Sequence, residues 1–271
     1  MTDPIRIALL GADGRMGIEL VRQVLEHPET QLVAGVTAPK SENIGRDLGE
    51  LAGLNDFGVQ VSTDLRGALE RCDVLIDFSS PKAAIDAALM MHSVRCRAMV
   101  SGTTGFSQSE DRALDVAAES VCLVQSWNFS PGVNVLTALV ERASKVLPEW
   151  DAEILEMHHN QKADAPSGTA LMLGKSVAAG RDINFYDNAV LARKGMTGAR
   201  QPGEIGFAAL RGGGVIGDHE VRLAAGREMI TLSHMAFDRS VFAAGALDAA
   251  IWASRQDKGI YDMHDVLGLK F

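Results

Sequence analysis

Two adjacent histidines, with a lysine four residues beyond the first, are the side chains here best suited to moving protons. They lie in Glu156-Met157-His158-His159-Asn160-Gln161-Lys162-Ala163-Asp164-Ala165-Pro166-Ser167-Gly168-Thr169-Ala170. A histidine gives or takes a proton near neutral pH, and a positioned lysine can deliver one. On a strand, successive side chains point to opposite faces, so His158 and His159 are not expected to share one role. A turn after them could return Lys162 beside one of the two. Pro166-Ser167-Gly168-Thr169 then opens a helix, where hydroxyls and unpaired N–H groups suit a carboxylate. The plain alternative is a polar turn with surface histidines. No metal is expected, because no third ligand stands at usable spacing and the lysine would repel a cation.

A second chemical motif opens the chain. The apolar run Ile5–Leu10 leads into Gly11-Ala12-Asp13-Gly14-Arg15-Met16-Gly17 and then a helical pattern. Glycines permit a tight turn and let backbone approach a pyrophosphate, and the helix N-terminus offers it N–H donors. The spacing is GxxGxxG, with Asp13 where a second glycine is usual, and an ordinary strand–helix turn is the alternative. A ribose-binding acid should follow about 20 residues on. That place reads Val36-Thr37-Ala38-Pro39-Lys40, with no carboxylate until Glu42. Arg15 and Lys40 could instead meet a 2′-phosphate, which somewhat favours NADPH over NADH, although Lys40 reads nearly as well as a solvated loop lysine. Gly102-Thr103-Thr104-Gly105 and Ser126-Trp127-Asn128-Phe129 each follow a strand pattern. Such strand ends suit the nicotinamide half of a cofactor; each, taken alone, is more often a simple turn.

These motifs need elements to hold them. Runs at 5–10, 31–36, 73–78, 97–101 and 121–126 are rich in Val, Ile and Leu and predict buried parallel strands. Helical spacing at 16–26, 83–91 and 108–119 lies between them, with Pro81 in a first turn. After Pro131 come a helix over 133–146, a strand over 151–157 and a helix over 166–179. Strands at 205–210, 214–222 and 228–234 follow, then a helix over 241–254. The expected class is α/β: a Rossmann-like parallel-sheet domain over 1–130, rejoined by 241–271, and an α+β domain with a mixed sheet over 131–240.

Composition narrows the function. The 271 residues carry a formal net charge of −9, with 46% hydrophobic and 23% charged residues. This excludes general disorder and a phosphate-neutralising surface, so no nucleic-acid partner is expected. Cys72, Cys96 and Cys122 form neither a zinc pattern nor a disulfide framework and read as reduced core thiols. The first apolar run is too short for a signal or membrane segment, so a cytoplasmic protein without a membrane partner is expected.

The motifs together resemble the dihydrodipicolinate (4-hydroxy-tetrahydrodipicolinate) reductase family of lysine and diaminopimelate synthesis. GADGRMG at 11–17, DFSSP at 77–81, SGTTGF at 101–106, NFSPGVN at 128–134, EMHHNQKADAPSGTA at 156–170 and YDMHDVLGL at 261–269 carry the likeness. The resemblance implies a cofactor domain rejoined by the last helix, and a domain for substrate and tetramerisation. It implies hydride transfer from NAD(P)H to C4 of a cyclic dicarboxylate, with loss of water. His158 would then be the general acid/base, Lys162 the proton donor and His159 a carboxylate contact. Gly168 and Thr169 would bind the other carboxylate. Gly11, Ala12, Asp13, Gly14, Arg15, Met16, Thr37, Lys40, Gly102, Thr103, Thr104, Ser126, Trp127, Asn128 and Phe129 would line the cofactor. Members that use NADH well often carry an acid followed by arginine after the second strand, where this chain has Thr37-Ala38. Two other readings are a two-domain dehydrogenase of aspartate-type substrates, which does not call for HHxxK followed by PSGT, and a non-catalytic nucleotide sensor.

Overall fold

The computed structural model describes residues 3–270. The chain divides into two units: one runs to Ser130 and resumes at Ser240, and the other is Pro131–Arg239.

In the first unit, strands and helices alternate: β1 (Ile5–Leu10), α1 (Arg15–Glu26), β2 (Thr30–Val36), α2 (Leu48–Leu51), β3 (Val61–Ser62), α3 (Leu65–Arg71), β4 (Val74–Asp77), α4 (Pro81–Met90), β5 (Ala98–Ser101), α5 (Gln108–Ala118) and β6 (Cys122–Gln125). The apolar runs are continuous because the sheet is buried on both faces. On β1, Ile7 and Leu9 pack with Leu20, Val21 and Val24 of α1. Ala8 and Leu10 face the other way, into a core with Ala68, Leu69, Ala84 and Leu114 from α3, α4 and α5. Each such Leu, Ile or Val stabilises by roughly 1.5–3 kcal/mol when fully buried. Pro81 occupies the first turn of α4.

The second unit holds α6 (Pro131–Val146), β7 (Asp151–His158), α7 (Gly168–Arg181), α8 (Phe185–Asn188), β8 (Ala189–Val190), β9 (Ile205–Arg211), β10 (Gly217–Ala224) and β11 (Met229–Ala236). Its sheet order is β11-β10-β7-β9-β8. β7 runs parallel to β9 and antiparallel to β10, so the sheet is mixed. Ala152 and Ile154 of β7 join Val221, Leu223, Phe207, Leu136, Val140, Leu173 and Val177 in one core between the sheet and helices α6 and α7. Strand alternation turns Leu210, Met229 and Met235 to the opposite face, where each is at least half exposed.

The chain then returns to the first unit with α9 (Ser240–Ala253), β12 (Gly259–Tyr261) and α10 (Met263–Val266). Ala243, Ala246, Leu247 and Ala250 of α9 share the core of α1. The first sheet has the order β12-β6-β5-β4-β1-β2-β3, all parallel. It gains β3 and β12 over the five strands expected, which are too short for a periodic signal. The helix expected from Pro166 starts at Gly168 instead. The Ala165–Pro166 peptide is cis, and Ser167 caps the helix, so the proline belongs to the preceding turn. All three cysteines are buried and free of disulfides.

Candidate active site

The loops after β1, β2, β4, β5 and β6 emerge from the same edge of the first sheet, the edge where parallel sheets bind ligands. Gly11 has φ +80°, and a Cβ there would lie 2.4 Å from the Phe78 carbonyl oxygen. A Cβ at Gly17 would lie 2.3 Å from the Gly11 carbonyl oxygen. Any side chain at either position would force backbone apart. Gly14 is the N-cap of α1 and supplies no side-chain capping bond. The first turn therefore directs N–H groups outward, as a pyrophosphate requires. Backbone of this shape fits a dinucleotide.

Asp13 ties this loop to the one after β2. Its carboxylate accepts hydrogen bonds from the Thr37 hydroxyl, the Ser41 hydroxyl at 2.5 Å and the Asn43 amide at 3.3 Å. Burial opposes its charge, but these bonds outweigh burial and hold the carboxyl below its ordinary value. Arg15 and Lys40 are exposed. Asp77, at the end of β4, plays a similar structural part. It accepts from Ser101 Oγ at 2.7 Å and from the Ser79 N–H at 3.1 Å, and that N–H also reaches Thr103 Oγ1 at 3.0 Å. Burial pushes the Asp77 carboxyl up despite these bonds. Ser126 Oγ donates to the Asn128 carbonyl at 2.8 Å, closing its turn. The Phe129 side chain is buried against Phe78, ring centres 5.7 Å apart, so toward the loop edge it offers backbone only. Trp127 is exposed.

The histidines and lysine singled out in the sequence lie in the second unit. Strand alternation puts Glu156 and His158 of β7 on the helix-covered face, and both are buried. His158 Nδ1 is 2.5 Å from Glu156 Oε2. Arg211, the parallel neighbour of His158 on β9, donates to both Glu156 oxygens at 3.0 Å. The Ser167 N–H reaches Glu156 Oε1 at 3.2 Å. Burial works against the Glu156 charge, but Arg211 and His158 more than offset it and hold its carboxyl below the ordinary range. Burial lowers His158, with Glu156 pulling it back up and Lys162 and Arg211 pushing it down. His219, opposite Glu156 on β10, stands with its ring centre 5.0 Å from that of His158, and its Nε2 is 3.2 Å from Ser167 Oγ. Burial, then the nearby His158, drives His219 down to about 3.

Lys162 is held by both Asp164 carboxylate oxygens at 2.9 Å. His159 points elsewhere, with Nε2 3.3 Å from the Arg239 guanidinium. Gly168 and Thr169 form the first turn of α7, where Ser167 Oγ takes the Ala170 N–H at 3.1 Å. The fold thus gathers His158, Lys162 and the start of α7 in one unit and separates His159 from His158. Sequence reasoning missed Glu156, Arg211, His219 and Arg239. Only Glu156, two residues before His158 on a strand, carried a local signal; Arg211 and His219 arrive by strand pairing. Among the described residues, no group of three or more His, Cys, Asp or Glu is placed to hold a metal.

A parallel-sheet unit with a glycine loop, joined to a mixed-sheet unit carrying a buried histidine and a nearby, partly exposed lysine, defines a two-domain nucleotide-dependent oxidoreductase. The comparisons make this particular. The family pattern described as "Dihydrodipicolinate reductase, N-terminus" matches residues 5–129, and that described as "Dihydrodipicolinate reductase, C-terminus" matches 132–267. The chain belongs to the dihydrodipicolinate reductase family. It is 47% identical over 267 residues to the 4-hydroxy-tetrahydrodipicolinate reductase of Allorhizobium ampelinum, and 48% identical to that of Sinorhizobium medicae, covering 98% of each chain in both cases. The solved, dipicolinate-bound dihydrodipicolinate reductase of Paenisporosarcina sp. TG-14 superposes with a TM-score of 0.77 at 26% identity, over 96% of this chain and 97% of that one. Aspartate semialdehyde dehydrogenase II of Vibrio cholerae shares the fold alone, with a TM-score of 0.53 at 10% identity over 99% of this chain and 100% of that one. The enzyme reduces 4-hydroxy-tetrahydrodipicolinate in lysine synthesis. The family uses NAD(P)H.

Proposed function

We propose that His158 is the general acid/base of this reduction and Lys162 the proton donor. His159 and the first-turn N–H groups of Gly168 and Thr169 receive the two substrate carboxylates. The supporting observation is the buried Glu156–His158 contact beside the N-terminus of α7, with Lys162 close enough to lower the affinity of His158 for a proton. N–H groups and cations are what a dicarboxylate needs, and they act hardest where water is excluded. Bound reduced nicotinamide supplies the hydride. Gly11–Met16, Thr37, Lys40, Gly102–Thr104 and Ser126–Phe129 would hold it, at the sheet edge described above. We assign the cofactor role to the first unit and the substrate and assembly role to the second.

NADPH is the preferred cofactor in this reading. Arg15 and Lys40 can face a 2′-phosphate, and no carboxylate follows β2 at Thr37-Ala38 to hold a free ribose. The protein acts as a homotetramer in the cytoplasm. Support for assembly comes from the apolar sheet face of Leu210, Met229 and Met235. Among the described residues no helix is long and apolar enough to cross a membrane. One assay tests the chemistry: freshly generated 4-hydroxy-tetrahydrodipicolinate is supplied with each cofactor, and loss of reduced-cofactor absorbance is followed. Turnover is expected with a higher kcat/KM for NADPH. An equal or higher value with NADH overturns the preference.

A further inference from the structure

Nothing in the strand itself asks for a carboxylate at Glu156. Alternation places it on the face where Ala152 and Ile154 pack the core. An ionised carboxylate buried there is costly unless charged and polar groups surround it. Three separate segments supply those groups: Arg211 from β9, the Ser167 N–H before α7, and His158 two residues along β7. The carboxylate has no proton to give, so Nδ1 of a neutral His158 must carry the hydrogen between them. Nε2 is then the nitrogen with the free lone pair. It lies over Gly217, where an added Cβ would come within 3.3 Å of it, so the missing side chain keeps that space open.

We propose that Glu156 and Arg211 form a positioning pair: Glu156 fixes His158 in the Nδ1–H form with Nε2 as its working nitrogen, and Arg211 keeps Glu156 charged and oriented. The inference rests on the acid/base reading of His158 and deepens it. The other groups facing His158 are His219 on β10 and Lys162 in the following loop, the latter matched by Asp164. His219 is neutral at working pH, so Glu156 and the two cations set the charge His158 feels.

Glu156→Gln tests the pair. Arg211 demands an acceptor, so the amide oxygen turns to it and the amide nitrogen faces His158. Nδ1 then becomes an acceptor and the proton moves to Nε2, the wrong tautomer for a base at that atom. Ring ¹⁵N spectra should report Nδ1–H in the native enzyme and Nε2–H in the variant, with the His158 titration moved to lower pH. We expect kcat to fall about 10²-fold or more while KM stays within about threefold. Arg211→Gln removes the cation but keeps an amide N–H donor for Glu156, so the Nδ1–H tautomer should stay while the His158 titration moves to higher pH. Removing either charge shifts the titration by itself, so the tautomer is the readout a merely structural role would not move; if Glu156→Gln does not fold, an Nε2–H signal in the native enzyme or in Arg211→Gln overturns the pair. Unmoved ring signals in the folded variants, with His158→Ala inactive, overturn the pair alone. A normal kcat in His158→Ala overturns the acid/base reading on which it rests.

Discussion

Acid should weaken this protein through His219, alongside His158 and His234, which burial also lowers. The ring is buried on β10 between His158 and Ser167, and its pKa falls from 6.5 to about 3. Above its unfolded value the ring is neutral in both states and adds no pH dependence. Below it, the unfolded chain binds a proton that the folded chain refuses. Stability therefore falls with pH through this window, until the folded ring also titrates near 3. Each pH unit inside the window costs about 1.4 kcal/mol, so moving from pH 7.5 to pH 5 costs about 2 kcal/mol through this one side chain. The figure is insensitive to the folded value, because pH 5 lies well above it. The perturbation is His219→Gln, which cannot titrate but keeps a polar group within reach of Ser167. Urea unfolding of both proteins at both pH values gives two stabilities each. His158, His234 and the carboxylates are present in both proteins and cancel in the comparison. The variant should gain about 2 kcal/mol relative to the native protein between pH 7.5 and pH 5. A stability difference that does not change with pH would refute the argument, since it would mean that His219 is as easily protonated folded as unfolded.

Three other outcomes follow from the site. Replacing His158 or Lys162 by Ala should lower kcat by about 10²–10⁴, the range of a positioned acid/base, and near-normal kcat in both would show the roles misassigned. Gly17→Ala drives a Cβ to 2.3 Å from the Gly11 carbonyl, so the loop must shift. Nucleotide affinity by calorimetry should drop and stability should fall by about 1–3 kcal/mol; unchanged binding would mean that the loop does not hold the cofactor. Leu210→Glu with Met235→Glu should reduce the sedimenting mass to that of a smaller assembly, and an unchanged mass would show that this sheet face is not an interface.

The sequence made the first sheet legible because its strands are buried on both sides. Ile7 to Leu10 needs no alternation when cores lie above and below. It hid β3, β8 and β12, two or three residues each, whose existence depends on a neighbour to pair with. The glycine loop was readable as chemistry because backbone geometry demands its residue types. In the second unit, HHxxK and PSGT announced themselves, while their partners did not. Arg211 lies beside His158 only because β9 runs parallel to β7 in that register, and His219 lies beside Glu156 only through the antiparallel pairing of β10. A contact made by strand register leaves no periodic trace. Sequence spacing allowed a turn that brings Lys162 back beside one of the histidines, but did not show that Asp164 would hold it.

The register explains how an acidic chain can take an anionic substrate. A net charge of −9 would repel a dicarboxylate if charge were smeared over the surface. In the second unit the carboxylates nearest His158 and Lys162 are each matched from within. Arg211 grips Glu156, and Lys162 grips Asp164. In the proposed reading a substrate carboxylate then meets the N–H end of a 14-residue helix, with Arg239 beside His159 adding a further positive charge. His158 and His219 stay neutral for a reason that serves the same end. Burial lowers both His158 and His219, so at neutral pH His158 can receive or pass on a proton without first losing one. Matching Glu156 with Arg211 rather than leaving it protonated is what lets the site keep a hydrogen-bond acceptor for Nδ1. In the proposed pair, the arginine that neutralises the charge is the same group that would preserve the orientation of the base.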